Sequence, residues 1–139
     1  MKNTGELMKH LKSGEDIGTY LSANEDQFIT VSVSGYLTEV LKQKGLTRSE
    51  VIRRSGMDKV YAYQIFDGKR SPSRDKLLLL AFGMELDPDE TQKLLKYCAM
   101  PTLYPKSRRD SILIYALERH MSVIDLNLLL DEKNEAILE

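Results

Sequence analysis

Between Gly45 and Ser73 the chain carries a helix start or stop signal every few residues, a density that leaves room only for short helices joined by tight turns. Gly45 closes one apolar-periodic stretch. Thr47 opens the next, and Glu50 three residues on completes a capping box, in which side chain and backbone satisfy each other's end groups. Val51 and Ile52 give that helix its apolar face, and Gly56 ends it. Asp58 caps a third helix running through Phe66, whose inward residues by spacing are Ala62, Ile65 and Phe66. Gly68 ends it, and Pro72-Ser73 opens another. The result is two short helices around a glycine turn, followed by the basic loop Gly68-Lys69-Arg70-Ser71-Pro72-Ser73.

The same signals extend outward. Ser34 is read as the cap of a helix carrying Leu37, Val40 and Leu41. After Ser73, a core face of Leu77, Leu78, Leu80 and Ala81 is closed by Gly83. Asp87-Pro88-Asp89-Glu90 then combines a cap, a proline at the first helical position and acids at the positive end of the helix dipole, ahead of inward-facing Leu94, Leu95 and Cys98. Five helices thus fill a central domain, residues 34–99. Residues 1–33 form an N-terminal helical extension, with amphipathic groups Leu7, Met8, Leu11 and Ile17, Tyr20, Leu21, Phe28, and an extended lead-in over 29–33. Residues 100–139 form a C-terminal appendage, with a connector marked by Pro101 and Pro105 and helices from Ser107 to Met121 and from Ser122 to Lys133. The segment 121–126 echoes 46–51 at an offset of 75 residues, a likeness that short capped helices share by default. The expected fold class is all-α.

Net charge is only -1, so the overall balance carries no message about partners, but the distribution does. Residues 44–76 hold nine basic side chains against four acidic ones, whereas 85–139 hold seven basic and eleven acidic. A basic middle beside an acidic end is an asymmetry found in nucleic-acid binders. The single cysteine, Cys98, excludes an internal disulfide and Cys-rich metal sites. His10 and His120 lack ligand-spaced partners. No segment has signal-peptide or membrane-spanning character, which points to the cytoplasm. Ser73-Arg74-Asp75-Lys76 matches a Ser-x-x-Lys pattern, but it stands at a helix start without other catalytic signatures. No enzyme activity, metal or cofactor is expected.

Residues 34–99 resemble the phage-repressor-like, or Xre-type, helix-turn-helix transcriptional regulators. The matching elements are Gly45-Leu46-Thr47, Gly56 in the turn, Ile65, and Gly68-Lys69-Arg70-Ser71-Pro72-Ser73. The resemblance implies a five-helix repressor-like domain, double-stranded DNA as partner, and base-reading positions that map onto Lys59, Val60 and Gln64. The chain departs from the family where Ile52 replaces a small residue, Ala62 a β-branched one, Phe66 a frequent glutamate, and Ser55 a commonly apolar residue.

The residues support the same expectation. With Ala62, Ile65 and Phe66 inward, the opposite face carries Lys59, Val60, Tyr63 and Gln64. Lys59 can donate to guanine O6 or N7, Gln64 can pair with adenine N6 and N7, and Val60 can pack on a thymine methyl. Tyr61 is assigned to either the core or a phosphate. Arg48, Lys69, Arg70 and Arg74, with Thr47, Ser71 and Ser73, are the expected phosphate contacts. Two copies on neighbouring half-sites would give tight binding, so a homodimer is expected. The apolar cluster Leu126, Leu128, Leu129 and Leu130 is assigned either to the molecule's own core or to a dimer surface. The competing expectation is an adaptor or antitoxin that uses the same fold and binds a protein partner through its terminal helices.

Overall fold

The computed structural model describes residues 4–14, 16–23 and 32–139. Among these residues the secondary structure is helical and no strand is present, as an all-α class requires. The chain divides into two compact units, residues 1–31 and 32–139. In the first, α1 (Thr4–Lys12) packs on α2 (Ile17–Ala23). The Asp16 carboxylate caps α2 by accepting from the Thr19 N–H. Phe28 and most of the expected lead-in lie outside the described residues.

The second unit holds α3 (Val33–Lys44), α4 (Arg48–Ser55), α5 (Lys59–Phe66), α6 (Arg74–Gly83), α7 (Pro88–Tyr97), α8 (Arg108–Glu118) and α9 (Val123–Glu132). Most of its helix starts are capped by the residue the sequence nominates. Thr47 and Asp87 form full capping boxes with Glu50 and Glu90, and Asp58, Ser73, Ser107 and Ser122 accept the expected backbone N–H. The first start is a correction. Ser32, not Ser34, caps α3 by accepting from the Gly35 N–H, so Val33 belongs to the helix rather than to an extended lead-in.

Helices of eight to twelve residues are marginal alone and depend on what they bury. Here they share one core, from Leu37 and Leu41 on α3 through Val51, Ile52, Ala62, Ile65 and Phe66 to Leu113, Leu117, Leu126, Leu130 and Leu138. Residues 100–139 pack into the same compact unit as the central helices. Helix α6 lies at the centre, buried from Leu77 to Gly83 on every side rather than on one face. On its outer flank, Tyr36 of α3 stacks on Tyr97 of α7 with ring centroids 4.5 Å apart.

Gly83 is the last residue of α6, where the sequence places the stop, and Met84 caps the helix after it. Residue 83 is glycine because α4 passes close by. A Cβ there would stand 2.5 Å from the Val51 carbonyl oxygen and 3.0 Å from Val51 Cγ1. Helices α4 and α6 make the most extensive helix–helix contact of the unit across this point.

Several helices end on a residue in the left-handed region without glycine: Glu85 (φ 55°), Ala99 (φ 56°), His120 (φ 50°) and Asn134 (φ 61°). At each, two backbone N–H groups return to the last turn, as Gly45 and Leu46 do after α3. Leu46 and Met121, which begin the two echoing segments, both make this closure.

Two outcomes follow. Gly83→Ala forces α4 and α6 apart and should cost about 1–3 kcal/mol in urea unfolding. Ala99→Gly relieves the Cβ penalty at an exposed left-handed position and should stabilise the protein by about 0.5–1 kcal/mol in the same assay.

Candidate nucleic-acid interface

Helix α5 divides its residues cleanly. Ala62, Ile65 and Phe66 are buried, as their spacing requires. Lys59 and Val60 are exposed, and Tyr63 and Gln64 are half-buried. Val60 is 66% exposed, an unusual place for a branched apolar side chain on an eight-residue helix. The Asp58 carboxylate accepts the Tyr61 N–H at 2.9 Å. At the other end the Gly68 and Lys69 N–H groups donate to Ile65 and Gln64 carbonyls at 3.1 and 2.9 Å, which ties the basic loop back onto α5.

The turn before α5 explains one departure from the family pattern. Ser55 is 1% exposed; its hydroxyl donates to the Ile52 carbonyl at 2.7 Å and accepts from the Met57 N–H at 3.2 Å. It closes the turn with hydrogen bonds where an apolar residue would close it by packing. Gly56, at φ 71°, supplies the left-handed step. Ile52 and Ala62 are both buried in the shared core. Phe66 presents its ring to Arg48, whose guanidinium carbon lies 5.5 Å from the centroid, and the adjacent Asp67 carboxylate accepts from Arg48 at 2.8 Å.

Tyr61 packs against the core and also holds two cations. The Arg70 guanidinium carbon stands 4.7 Å from its ring centroid and Lys76 Nζ stands 5.5 Å from it. Arg70 Nε donates to Gln64 Oε1 at 3.0 Å. Lys59 and Lys69 are exposed and make no ion pair among the described residues. Thr47 and Ser73 hydroxyls accept the Glu50 and Lys76 N–H groups, each at 3.2 Å, and Ser71 is exposed. The structure therefore groups Lys59, Val60, Tyr63, Gln64, Lys69 and Arg70 on α5 and the loop that follows, with Arg48 beside Asp67.

Arg74 does not join them. Its Nε donates to the Pro101 carbonyl at 2.8 Å, its terminal nitrogens donate to the two Asp110 oxygens at 3.1 and 2.8 Å, and one also donates to the Thr102 carbonyl at 3.2 Å. The next residue makes the reverse exchange: Arg109 donates to both oxygens of Asp75 at 3.0 Å. That hydrogen bond pushes the Arg109 guanidinium further above its usual range, against the opposing effect of burial. Arg74 is thus a clamp between α6 and residues 101–110, and the phosphate role expected for it is withdrawn. Asp110 and Arg109 have no role assigned to them by the sequence, and Lys76 enters it only through the Ser-x-x-Lys pattern. The Arg-Asp dipeptide at the start of both α6 and α8 is the signal that would have found the clamp.

Burial raises the Cys98 thiol above its ordinary range, in keeping with a core role. Among the described residues no group of His, Cys, Asp and Glu is placed to hold a metal, and no helix is long and apolar enough to cross a membrane. No protein-family model matches the chain, and comparisons with curated proteins and with solved structures find no match either.

Asp110→Ala leaves the Arg74 guanidinium without its carboxylate and frees the Tyr104 N–H, which donates to Asp110 at 3.0 Å. The expected loss is about 2 kcal/mol of stability, read by urea unfolding.

Proposed function

We propose that this protein is a sequence-specific DNA-binding transcriptional regulator of the phage-repressor-like type, working in the cytoplasm, with α3 to α7 as its helix-turn-helix domain and α5 as the reading helix. The observation that carries the reading is the outward face of α5, where Val60 stands 66% exposed beside Lys59, which is exposed and makes no ion pair among the described residues. A lysine, a branched apolar residue and an amide on one helix face complement guanine acceptors, a thymine methyl and a purine edge in the major groove. Lys69 and Arg48, with Thr47, Ser71 and Ser73 at helix starts or in the loop, supply sequence-independent phosphate contacts. Two copies on half-sites about 34 Å apart give the affinity that one reading helix lacks.

The test is selection of bound sequences from random double-stranded DNA at two salt concentrations. A defined motif should emerge, with affinity falling steeply as salt rises. Lys59→Ala should relax preference at one or two base pairs by about 1–3 kcal/mol. Lys69→Ala should weaken all sequences alike and lower the salt slope by about one. If no sequence is enriched, the reading falls. The adaptor reading then takes its place, favoured by Ile124 and Leu128, which stand 75% and 65% exposed on α9.

A further inference from the structure

We propose that Arg70 sets the base preference of α5 by taking possession of the Gln64 side-chain oxygen, so that the pair presents donors and selects guanine; this rests on the DNA-binding reading above. Arginine has donors and no acceptor. The 3.0 Å contact from Arg70 Nε therefore fixes which end of the Gln64 amide faces the loop: the oxygen turns toward Arg70, which takes one of its two lone pairs, and the NH2 group points the other way.

Arg70 is itself held. Its guanidinium lies over the Tyr61 ring at 4.7 Å, Tyr61 is partly buried against the core, and the Lys69 N–H donates to the Gln64 carbonyl at 2.9 Å, which fixes the loop where Arg70 begins. Lys76 on the same ring, at 5.5 Å, adds a second positive charge beside Arg70. The Arg70 terminal nitrogens and the Gln64 NH2 make no other hydrogen bond or ion pair among the described residues.

An amide read alone offers one donor and one acceptor, the match for adenine N7 and N6. With its oxygen drawn toward Arg70, the same residue joins a run of N–H groups. Guanine presents two acceptors, O6 and N7, on its major-groove edge, and an all-donor surface fits it. Arg70 is thus a specificity-determining residue acting through Gln64, rather than a general phosphate contact.

Selection from random DNA is run on the full chain carrying wild-type sequence, Gln64→Ala, Arg70→Ala, Tyr61→Leu or Lys69→Ala. Gln64→Ala identifies the base pair read at that position. Wild type should choose guanine there. Arg70→Ala and Tyr61→Leu should shift the choice toward adenine by roughly tenfold, and Lys69→Ala should leave it unchanged. Adenine in the wild-type motif at that pair, or lowered affinity with unchanged preference in Arg70→Ala, overturns the inference while leaving DNA binding intact. In the DNA-free protein, exchange of the Arg70 Nε proton with water should be slow by NMR and quicken several-fold in Gln64→Ala. Equal exchange in both overturns it independently of any DNA result. A wild type that enriches no sequence sinks the DNA reading and this inference together.

Discussion

The approach of α4 to α6 at Gly83 governs the second unit. Backbone oxygen of one helix meets backbone carbon of the other where any Cβ would intrude. Helix α4 is joined to α5 by a short turn that Ser55 and Gly56 hold in one geometry. The position of α5 therefore follows from how deeply α4 sits on α6, and α6 is a fixed post because it is buried on every side. Interiors packed to this density pass a displacement on rather than absorb it. Contact at Val51, inside the core, thus sets where Lys59 and Val60 stand outside it.

The far end of α6 is held by a different kind of contact. Arg74 and Asp75 exchange partners with Asp110 and Arg109, and Arg109 also donates to the Ala136 and Ile137 carbonyls. Two side-chain amides repeat a further device. Gln92 donates to and accepts from the backbone of Leu103, and Asn127 does the same for Leu138, each leucine being buried. A side-chain amide here does the work of a neighbouring strand, satisfying an irregular segment's backbone so that its leucine can enter the core. Residues 100–139 are joined to the central helices by these polar clips and by Leu113, Leu117, Leu126 and Leu130 together. Of the cluster Leu126, Leu128, Leu129 and Leu130, Leu126 and Leu130 are fully buried in the molecule's own core, Leu129 is half-buried and Leu128 faces out.

Local chemistry was legible in the sequence, and long-range partnership was not. Thr47, Asp58, Ser73, Asp87, Ser107 and Ser122 announce their helices because a cap acts within three residues of itself. The buried set of α5 follows from helical period alone. Ser32 and Ser34 look alike in the sequence, both being serines ahead of the same apolar pattern, and only the hydrogen bond from the Gly35 N–H singles out Ser32. Gly83 is legible as the end of α6 but not as the point that admits α4, because a glycine that makes room for a neighbouring helix looks the same in sequence as one that ends its own. Arg74 read as a phosphate contact because its partner lies 36 residues away. The Gln64–Arg70 pair spans only six residues, yet nothing in the sequence marks it, because the loop's return onto α5 depends on the backbone closure at Gly68 and Lys69.

The two faces of α5 meet at Tyr63, which packs against the core while standing beside the exposed residues. What holds the helix down is Ala62, Ile65 and Phe66; what it shows is Lys59, Val60 and part of Gln64. Changes at Lys59 and Val60 leave the core volume untouched, so this part of the surface can be altered without unseating the helix, whereas a change at Tyr63 reaches the packing beneath it.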